Sequence, residues 1–207
     1  MFRSLSAVLF IAAISYSFAF AQTSPAPSPT PEPSPDRISM SPAYTPPTAK
    51  ARFRRYVNST VGPFTLARNV AYAGLATWEN SPEEWGGQWE GFGKRVASNF
   101  GKNLIKQTTI YGLDEALKLD SGYYRAKGKS NGAKIRNALL SPVTSRTRSG
   151  KRVIGIPRIV GAYSGNIIAR ETWYPDRYDW KDGVRNGTIS FAVAGAFNLF
   201  KEFVWKK

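Results

Sequence analysis

Histidine and cysteine are both absent from the 207-residue chain. Their absence excludes Ser-His-Asp and Cys-His catalysis, and it excludes metal sites built from imidazole or thiolate ligands. No acidic loop has the spacing of a calcium site, and the sequence contains neither a G-x-x-x-x-G-K-[ST] phosphate loop nor a dinucleotide fingerprint. We therefore expect no metal and no cofactor. Any catalysis would have to rest on carboxylates, tyrosines, lysines or a Ser-Lys pair.

Acidic residues are missing from a long internal stretch. The formal net charge is +15, and no Asp or Glu occurs between Asp120 and Glu171. A solvated surface normally mixes both signs of charge, so this stretch favours an anionic partner over a merely soluble basic face. The candidate anion-binding residues, on a predicted short helix and the loop after it, are Lys134, Arg136, Arg146, Arg148, Lys151 and Arg152.

The phosphates of anionic lipid, lipopolysaccharide or a wall polymer would suit such a basic stretch. Each Lys or Arg near an anionic membrane contributes about 1 kcal/mol, so five or six would give measurable, salt-sensitive binding. The same charges would bind nucleic acid. We do not expect nucleic acid as the partner, because the chain has the marks of an exported protein and shows no nucleic-acid-binding module.

The amino terminus has the layout of a signal peptide. Arg3 precedes an apolar run from Leu5 to Phe18, and Ala19-Phe20-Ala21 follows as an A-x-A cleavage site. The alternative, an uncleaved anchor helix, is disfavoured because the apolar core is short for a bilayer. We expect residues 1–21 to be removed and the mature protein to reach the periplasm or cell envelope, where it could associate with a membrane.

A proline-rich segment follows the predicted cleavage site. Proline occupies every second position from Pro25 to Pro35. Such a segment has no apolar face to bury and favours extended polyproline II structure. We expect residues 22–50 to be a disordered spacer and residues 51–207 to form one folded domain.

The run from Gly187 to Phe200 is uncharged and fits either a strand or a helix. A strand would place Lys201 among large apolar residues. The run is rich in alanine and has no turn signal, so we predict a helix, one too short and too amphipathic to cross a bilayer. Its predicted apolar stripe contains Ile189, Val193, Phe197, Phe200, Phe203 and Val204. Its predicted polar face contains Ser190, Asn198, Lys201 and Glu202.

A second helix is predicted from Ser81, as its N-cap, to about Leu119. It contains several glycines, each costing about 1 kcal/mol against alanine. Small residues spaced by four would offset this cost by letting another backbone approach. Such residues are Gly93, Ala97, Gly101, Gly183, Gly187, Ala67 and Ala71. We predict a mainly α domain, a bundle of about five helices with glycine- and alanine-lined contacts, packed either as a soluble bundle or in or on a membrane.

The segment from Arg170 to Asp182 mixes aromatic and acidic residues. Aromatic faces with carboxylates hold sugars, and two carboxylates could hydrolyse a glycosidic bond. Glu171 would be the acid, and Asp176 or Asp179 the base. The favoured alternative is a structured turn in which Asp182 caps the next helix. Aromatic residues that could lie at a membrane interface are Trp85, Trp89, Trp173, Tyr174 and Trp180.

A third candidate site is Asp120 to Arg125, "DSGYYR", where two tyrosines and an arginine could bind phosphate or glycan. We prefer a helix end with Gly122 as a left-handed cap and packed tyrosines. The phrases "LDSGYYR", "SRTRSGK", "ETWYPDR" and "FNLFKEF" occur in this order. Together they resemble a group of secreted bacterial proteins of unassigned function. The resemblance implies one family domain and no particular activity.

These observations lead to one expectation of function and one alternative. We expect a non-enzymatic envelope protein that associates with an anionic membrane or wall surface through a basic face, and that could do so as a homo-oligomer. The alternative is a carboxylate-dependent glycan hydrolase of the cell wall or a glycan-binding protein.

Overall fold

The computed structural model describes residues 44–204, so the predicted signal peptide, most of the predicted spacer and Trp205 lie outside the described residues. The helices are α1 (Ala49–Val61), α2 (Pro63–Trp78), α3 (Trp89–Ala116), α4 (Asn131–Leu140), α5 (Ile156–Thr172) and α6 (Trp180–Phe203). The strands are β1 (Leu119–Asp120), β2 (Thr144–Thr147) and β3 (Arg152–Ile154). The predicted mainly α bundle is confirmed, and the run after Gly187 is helical.

Helix α3 lies at the centre of the bundle. Helices α1, α2 and α5 pack directly on it, α6 packs on α5, and α4 packs on α6. The three strands form one antiparallel sheet in the order β1-β2-β3. Because β1 begins three residues after α3 ends, the sheet lies at the carboxyl-terminal end of the central helix.

Local sequence signals set several helix ends. The hydroxyl of Thr48 accepts a hydrogen bond from the Ala51 amide at the start of α1, and Pro63 begins α2 directly after Gly62. Asp179 and Asp182 form a capping box at the start of α6, which satisfies amides that would otherwise lack partners. The predicted capping role of Asp182 is therefore correct, although Asp179 is the N-cap itself.

The helix predicted from Ser81 begins instead at Trp89. Residues Glu83–Trp85 form a single 3-10 turn, and Gly86 has a φ of 72°, which ends that turn in the left-handed region. Gly86 and Gly87 therefore lie in a loop before α3, whereas Gly91, Gly93 and Gly101 lie within the helix. The side chain of Arg95 reaches back from α3 to this loop.

Glycines form close helix contacts at the predicted Gly183 and also at Gly165, whereas the predicted Gly93 and Ala97 of α3 are exposed. A Cβ at Gly165 of α5 would lie 2.5 Å from the Lys102 carbonyl oxygen of α3. A Cβ at Gly183 of α6 would lie 2.7 Å from the Ile167 Cα of α5. These helices therefore approach at backbone distance, which larger residues would prevent. Ala67 and Ala71 of α2, by contrast, are exposed.

The interior of the bundle is polar and made of small residues. Among residues 44–204 no Leu, Ile, Val, Phe, Tyr or Trp side chain is buried. The buried nonpolar side chains in that range are alanines and prolines. Buried polar or charged residues are Thr60, Thr65, Asn69, Arg95, Ser98, Asn103, Asp120, Asn137, Ser141, Ser145, Asn198 and Glu202.

The orientation predicted for the last helix is therefore wrong. Ile189, Val193 and Phe200 of the predicted apolar stripe are exposed, whereas Asn198 and Glu202 of the predicted polar face are buried. The physical reason is that the face with the glycines is the one that can approach α5 closely. The Glu202 carboxylate on that face also accepts hydrogen bonds from Tyr123, Ala126 and Asn137, which offset the cost of burying it.

No helix within residues 44–204 has both the length and the apolar character needed to cross a membrane.

Candidate functional site

The hairpin of β2 and β3 places two arginines opposite each other. Arg146 of β2 is the Cα partner of Arg152 of β3. Like charges at facing positions of a sheet are destabilising. Burial, together with the nearby charges of Arg146 and Arg136, lowers the pKa of Arg152. The structure thus brings three of the predicted anion-binding residues, from α4, β2 and β3, into one electrostatic cluster.

Aromatic and amide groups hold these arginines in place. The Arg146 guanidinium lies 5.3 Å from the ring centroid of Tyr44 and 5.5 Å from that of Tyr124. The Arg152 Nη2 donates to the Asn137 Oδ1 at 2.5 Å. Within residues 44–204, neither arginine has a carboxylate oxygen within 4.0 Å. Their charges are oriented by neutral groups and are not neutralised.

The other predicted basic residues divide between this cluster and a second location. Lys151 is exposed in the hairpin turn beside Arg152, Arg136 is exposed on α4, and the Lys134 ammonium lies 5.9 Å from the ring of Phe203. Arg148 instead lies 3.9 Å from the Glu115 carboxylate of α3. We call the following residues the basic face: Lys134, Arg136, Arg146, Lys151 and Arg152.

Asp120 of β1 anchors the hairpin to the rest of the domain. Its carboxylate accepts hydrogen bonds from Arg55 Nη1 at 2.5 Å, Tyr44 Oη at 2.7 Å and Tyr124 Oη at 2.5 Å. Burial opposes ionisation of Asp120, but these hydrogen bonds, that of the Gly122 amide and the Arg55 charge outweigh it and lower the carboxyl pKa. Tyr44, which precedes α1, therefore takes part in this anchor.

The predicted role of Gly122 as a left-handed helix cap is wrong. The positive φ near the end of α3 belongs to Lys118, at 53°. Position 122 has no room for a side chain, because a Cβ there would lie 2.9 Å from the Asp120 carboxylate and would clash with the Arg55 guanidinium. The two tyrosines that follow are packed, as predicted, with Tyr123 Oη donating to Glu202 at 2.6 Å.

The segment from Arg170 to Asp182 forms a cationic aromatic stack. The Arg170 guanidinium lies 3.8 Å from the ring centroid of Tyr174 and 4.5 Å from that of Tyr178. The Lys102 ammonium donates to the Tyr174 hydroxyl at 3.0 Å. Burial would raise the pKa of Tyr174, but Lys102, Ser98 and Arg170 outweigh it and lower that pKa.

The carboxylates of the alternative glycan site lie in different settings. Asp179 accepts hydrogen bonds from the amides of Lys181 and Asp182 at the start of α6. Glu171 and Asp176 are exposed. The capping bonds give the Asp179 carboxylate a structural role in starting α6.

The aromatic residues predicted for a membrane interface divide into packed and exposed groups. The Trp85 ring lies 4.8 Å from that of Tyr174, and the Trp173 indole donates to the Ser98 hydroxyl at 2.9 Å. Trp89 and Trp180 are exposed, Trp89 by 86%. Trp173 is also exposed, at 37%, so all three tryptophans are available in this conformation for contact with another surface.

A cavity of about 790 Å³ lies between α1, α2, α3, α5 and α6, and sequence analysis did not find it. Eight Lys and Arg residues line it, and four of these, from four different helices, are Arg68, Lys106, Arg158 and Lys201. In the sequence these residues look like ordinary solvated positions on helix faces. The one available signal was that Lys201 shares a predicted helix face with Asn198 and Glu202, a face that the prediction placed outside.

Within the described part of the chain, no group of three acidic side chains could hold a metal ion. No protein-family model, no curated protein and no solved structure matches this chain.

Proposed function

We propose that this chain is a non-enzymatic, exported envelope protein that associates with an anionic membrane through its basic face. The observation that carries the proposal is the facing pair Arg146 and Arg152, with Arg136 close enough to act on Arg152. Among the described residues, no carboxylate forms an ion pair with any of these three arginines. An anionic surface would attract all three arginines and so offset the repulsion between them.

Exposed apolar side chains on the same elements favour a lipid surface over a purely polar polymer. Ile154 at the end of β3 is 71% exposed, and Ile135 and Leu139 of α4 are also exposed. Proteins that lie on membranes combine charge attraction to anionic headgroups with shallow burial of apolar groups. Basic and apolar groups occur together on α4 and β3, so both contributions are available there.

Binding to vesicles tests this proposal, with Arg136→Gln/Lys151→Gln as the test variant. Both side chains are exposed and make no side-chain hydrogen bond or ion pair within residues 44–204, so the fold should tolerate the change. Loss of two charges should weaken binding to anionic vesicles roughly ten- to thirty-fold. Co-sedimentation with vesicles containing phosphatidylglycerol measures the change.

The matched control is Lys94→Gln/Arg185→Gln, which removes the same charge from exposed positions. Lys94 is near the start of α3, about 30 Å along the helix from the end that leads to the sheet. The control should bind nearly as well as the wild type. Equal weakening of both variants would show that net charge alone, and not this face, governs binding.

A further inference from the structure

We infer that the central cavity is a binding site for an anionic amphiphile, and that Arg68, Lys106, Arg158 and Lys201 hold its phosphate group. This inference goes beyond surface association and does not rest on it. The cavity volume of about 790 Å³ lies within the range of small-molecule sites. The charges and the walls of the cavity define the chemical class of the ligand.

The four cations act on one region of the cavity. Burial, followed by the charges of Arg68 and Arg158, lowers the pKa of Lys106 to about 8. Burial and the same two arginines lower the pKa of Lys201. Burial also lowers the pKa of Arg158 to about 10. Both lysines therefore lie within electrostatic reach of the same two arginines.

None of these cations forms an ion pair among residues 44–204, although the charges of Asp114 and Asp120 oppose the lowering of the Arg158 pKa. Neither Arg68 nor Lys106 makes a side-chain hydrogen bond or an ion pair in that range, and Lys201 contacts only the rings of Phe197, at 4.6 Å, and Tyr123, at 5.8 Å. The Arg158 Nη2 donates to the Ser121 carbonyl oxygen, but its Nε is buried without a hydrogen-bond partner. Unpaired buried charges are costly, so an anion in the cavity would be strongly favoured.

The acids on the cavity wall are already engaged elsewhere. Glu115 forms a bidentate pair with Arg52, and Asp114 accepts hydrogen bonds from the amide and hydroxyl of Ser121. Asp120 holds the hairpin anchor described above. No carboxylate lies within 4.0 Å of Arg68, Lys106 or Lys201 in the described range. The positive charge at this end of the cavity is therefore left for a ligand.

Part of the remaining lining is apolar. Phe64 of α2, Ile110 of α3, and Phe191 and Phe197 of α6 contribute to it, together with Ala162 and Ala194. Phe64 is also exposed, which places an opening to solvent on its side. A free inorganic anion would leave this apolar wall uncovered. An acyl or alkyl chain attached to the anion would cover it and gain affinity from burial of apolar surface.

A phosphate monoester fits the charge better than a carboxylate. Four converging cations can stabilise two negative charges, and the fork of a guanidinium matches phosphate oxygens. The expected ligand is thus an amphiphile with a phosphate head and a single apolar chain that fits the cavity.

Isothermal titration of the purified protein, without membranes, tests the inference. The probe is decyl phosphate below its critical micelle concentration. We expect one binding site, with affinity at least about ten-fold higher than for inorganic phosphate, for decanoate or for the uncharged decyl maltoside. Lys106→Met, which keeps the length of the side chain and removes the charge, should weaken decyl phosphate binding at least about ten-fold.

Two further variants keep the result interpretable. Lys94→Met, on the same helix but exposed, should leave the affinity unchanged. Lys201→Met, from a different helix, should reproduce the loss if Lys106→Met fails to fold. Equal binding of decyl phosphate and decyl maltoside, or an unchanged affinity in both cavity variants, would overturn the inference. Inorganic phosphate binding as tightly as decyl phosphate would show an ion site and reject the amphiphile.

Surface association and cavity binding can fail separately. The cavity variants do not alter the basic face, so they should retain vesicle binding, and Arg136→Gln/Lys151→Gln should retain decyl phosphate binding.

Discussion

At the scale of single residues, the most constrained charge is Arg95. Its side chain is fully buried, and its guanidinium donates to the carbonyl oxygens of Ser81 at 2.9 Å, Pro82 at 2.7 Å and Gly86 at 2.6 Å. One planar guanidinium thus donates hydrogen bonds to three carbonyl oxygens of the loop that precedes α3. Sequence analysis could not find this role, because Arg95 lies beside the exposed Lys94 and looks like a second solvated charge.

Arg95→Lys should lower the free energy of unfolding by about 2–4 kcal/mol. A lysine ammonium cannot reach three carbonyls arranged around a planar group, so at least one would remain buried without a partner. Urea denaturation followed by circular dichroism measures the loss. Lys94→Arg, the adjacent exposed change, is the control and should leave the midpoint unchanged. Equal midpoints for both variants would contradict the assigned role.

Because of Lys106, we expect the free energy of unfolding to change with pH in the alkaline range. Burial, with Arg68 and Arg158, lowers its pKa in the folded state to about 8 from the ordinary 10.5. Between these values the unfolded chain binds more protons than the folded one, so stability should rise with pH from about 8 to about 10. Below pH 8 the buried charge costs about 3 kcal/mol. Lys106→Met should remove this cost.

To check this prediction, the free energies of unfolding of wild type and Lys106→Met are measured across this pH range in phosphate-free buffer. The stability advantage of Lys106→Met over wild type should be largest near neutral pH and shrink as the pH approaches 10. Lys94→Met should show a constant difference from wild type. Parallel curves for Lys106→Met and wild type would show that Lys106 is not electrostatically strained.

At the scale of elements, the packing of α5 on α3 depends on glycines. A Cβ at Gly165 would lie 2.5 Å from a backbone oxygen of α3, which cannot move without displacing the helix. Gly112 of α3, by contrast, is exposed and has no atom within 4 Å of a built Cβ. The same substitution should therefore have opposite effects at the two positions.

Gly165→Ala should lower the free energy of unfolding by about 1–3 kcal/mol because it forces two helices apart. Gly112→Ala should raise it by about 1 kcal/mol because alanine has the higher helix propensity. Thermal unfolding of the two variants gives the comparison. A melting temperature for Gly165→Ala at or above wild type would show that α3 and α5 do not pack at backbone distance.

The sequence was sufficient to predict most of the helices and the glycine contacts of α6, but not the glycine contacts of α5 or the orientation of every helix. The run after Gly187 was correctly predicted as helical from its length and its lack of turn signals. Its buried face was assigned by hydrophobicity, although the position of Gly183 and Gly187 decides which face can approach α5. The basic hairpin was predicted as a loop, because four- and three-residue strands carry too little alternation to be recognised.

The cavity could not be predicted for a related reason. Its cations come from α2, α3, α5 and α6, so only tertiary packing brings them together. Arg158 and Lys201 are 43 positions apart in sequence (201 − 158), and no local spacing connects them. Arg146 and Arg152, in contrast, lie close together in the acid-free stretch between Asp120 and Glu171, which is why the basic face could be predicted from the sequence.

At the scale of the whole molecule, the described residues bury polar and small side chains and expose large apolar ones. Trp78, Trp89 and Ile154 are among the most exposed, at 87%, 86% and 71%. Burial of large apolar side chains is normally the main source of stability in a domain, and contiguous exposed apolar patches mark contact with a partner or a membrane. This distribution and the unpaired arginines of the basic face favour the same proposal, association with an anionic membrane.

Co-sedimentation of the wild-type protein with phosphatidylglycerol and with phosphatidylcholine vesicles, at low and high salt, tests that central claim most directly. The account predicts binding to the anionic vesicles at low salt, substantial loss of that binding at high salt, and little binding to the neutral vesicles. Absence of binding to anionic vesicles at low salt, or equal binding to both lipids at low salt, would contradict it.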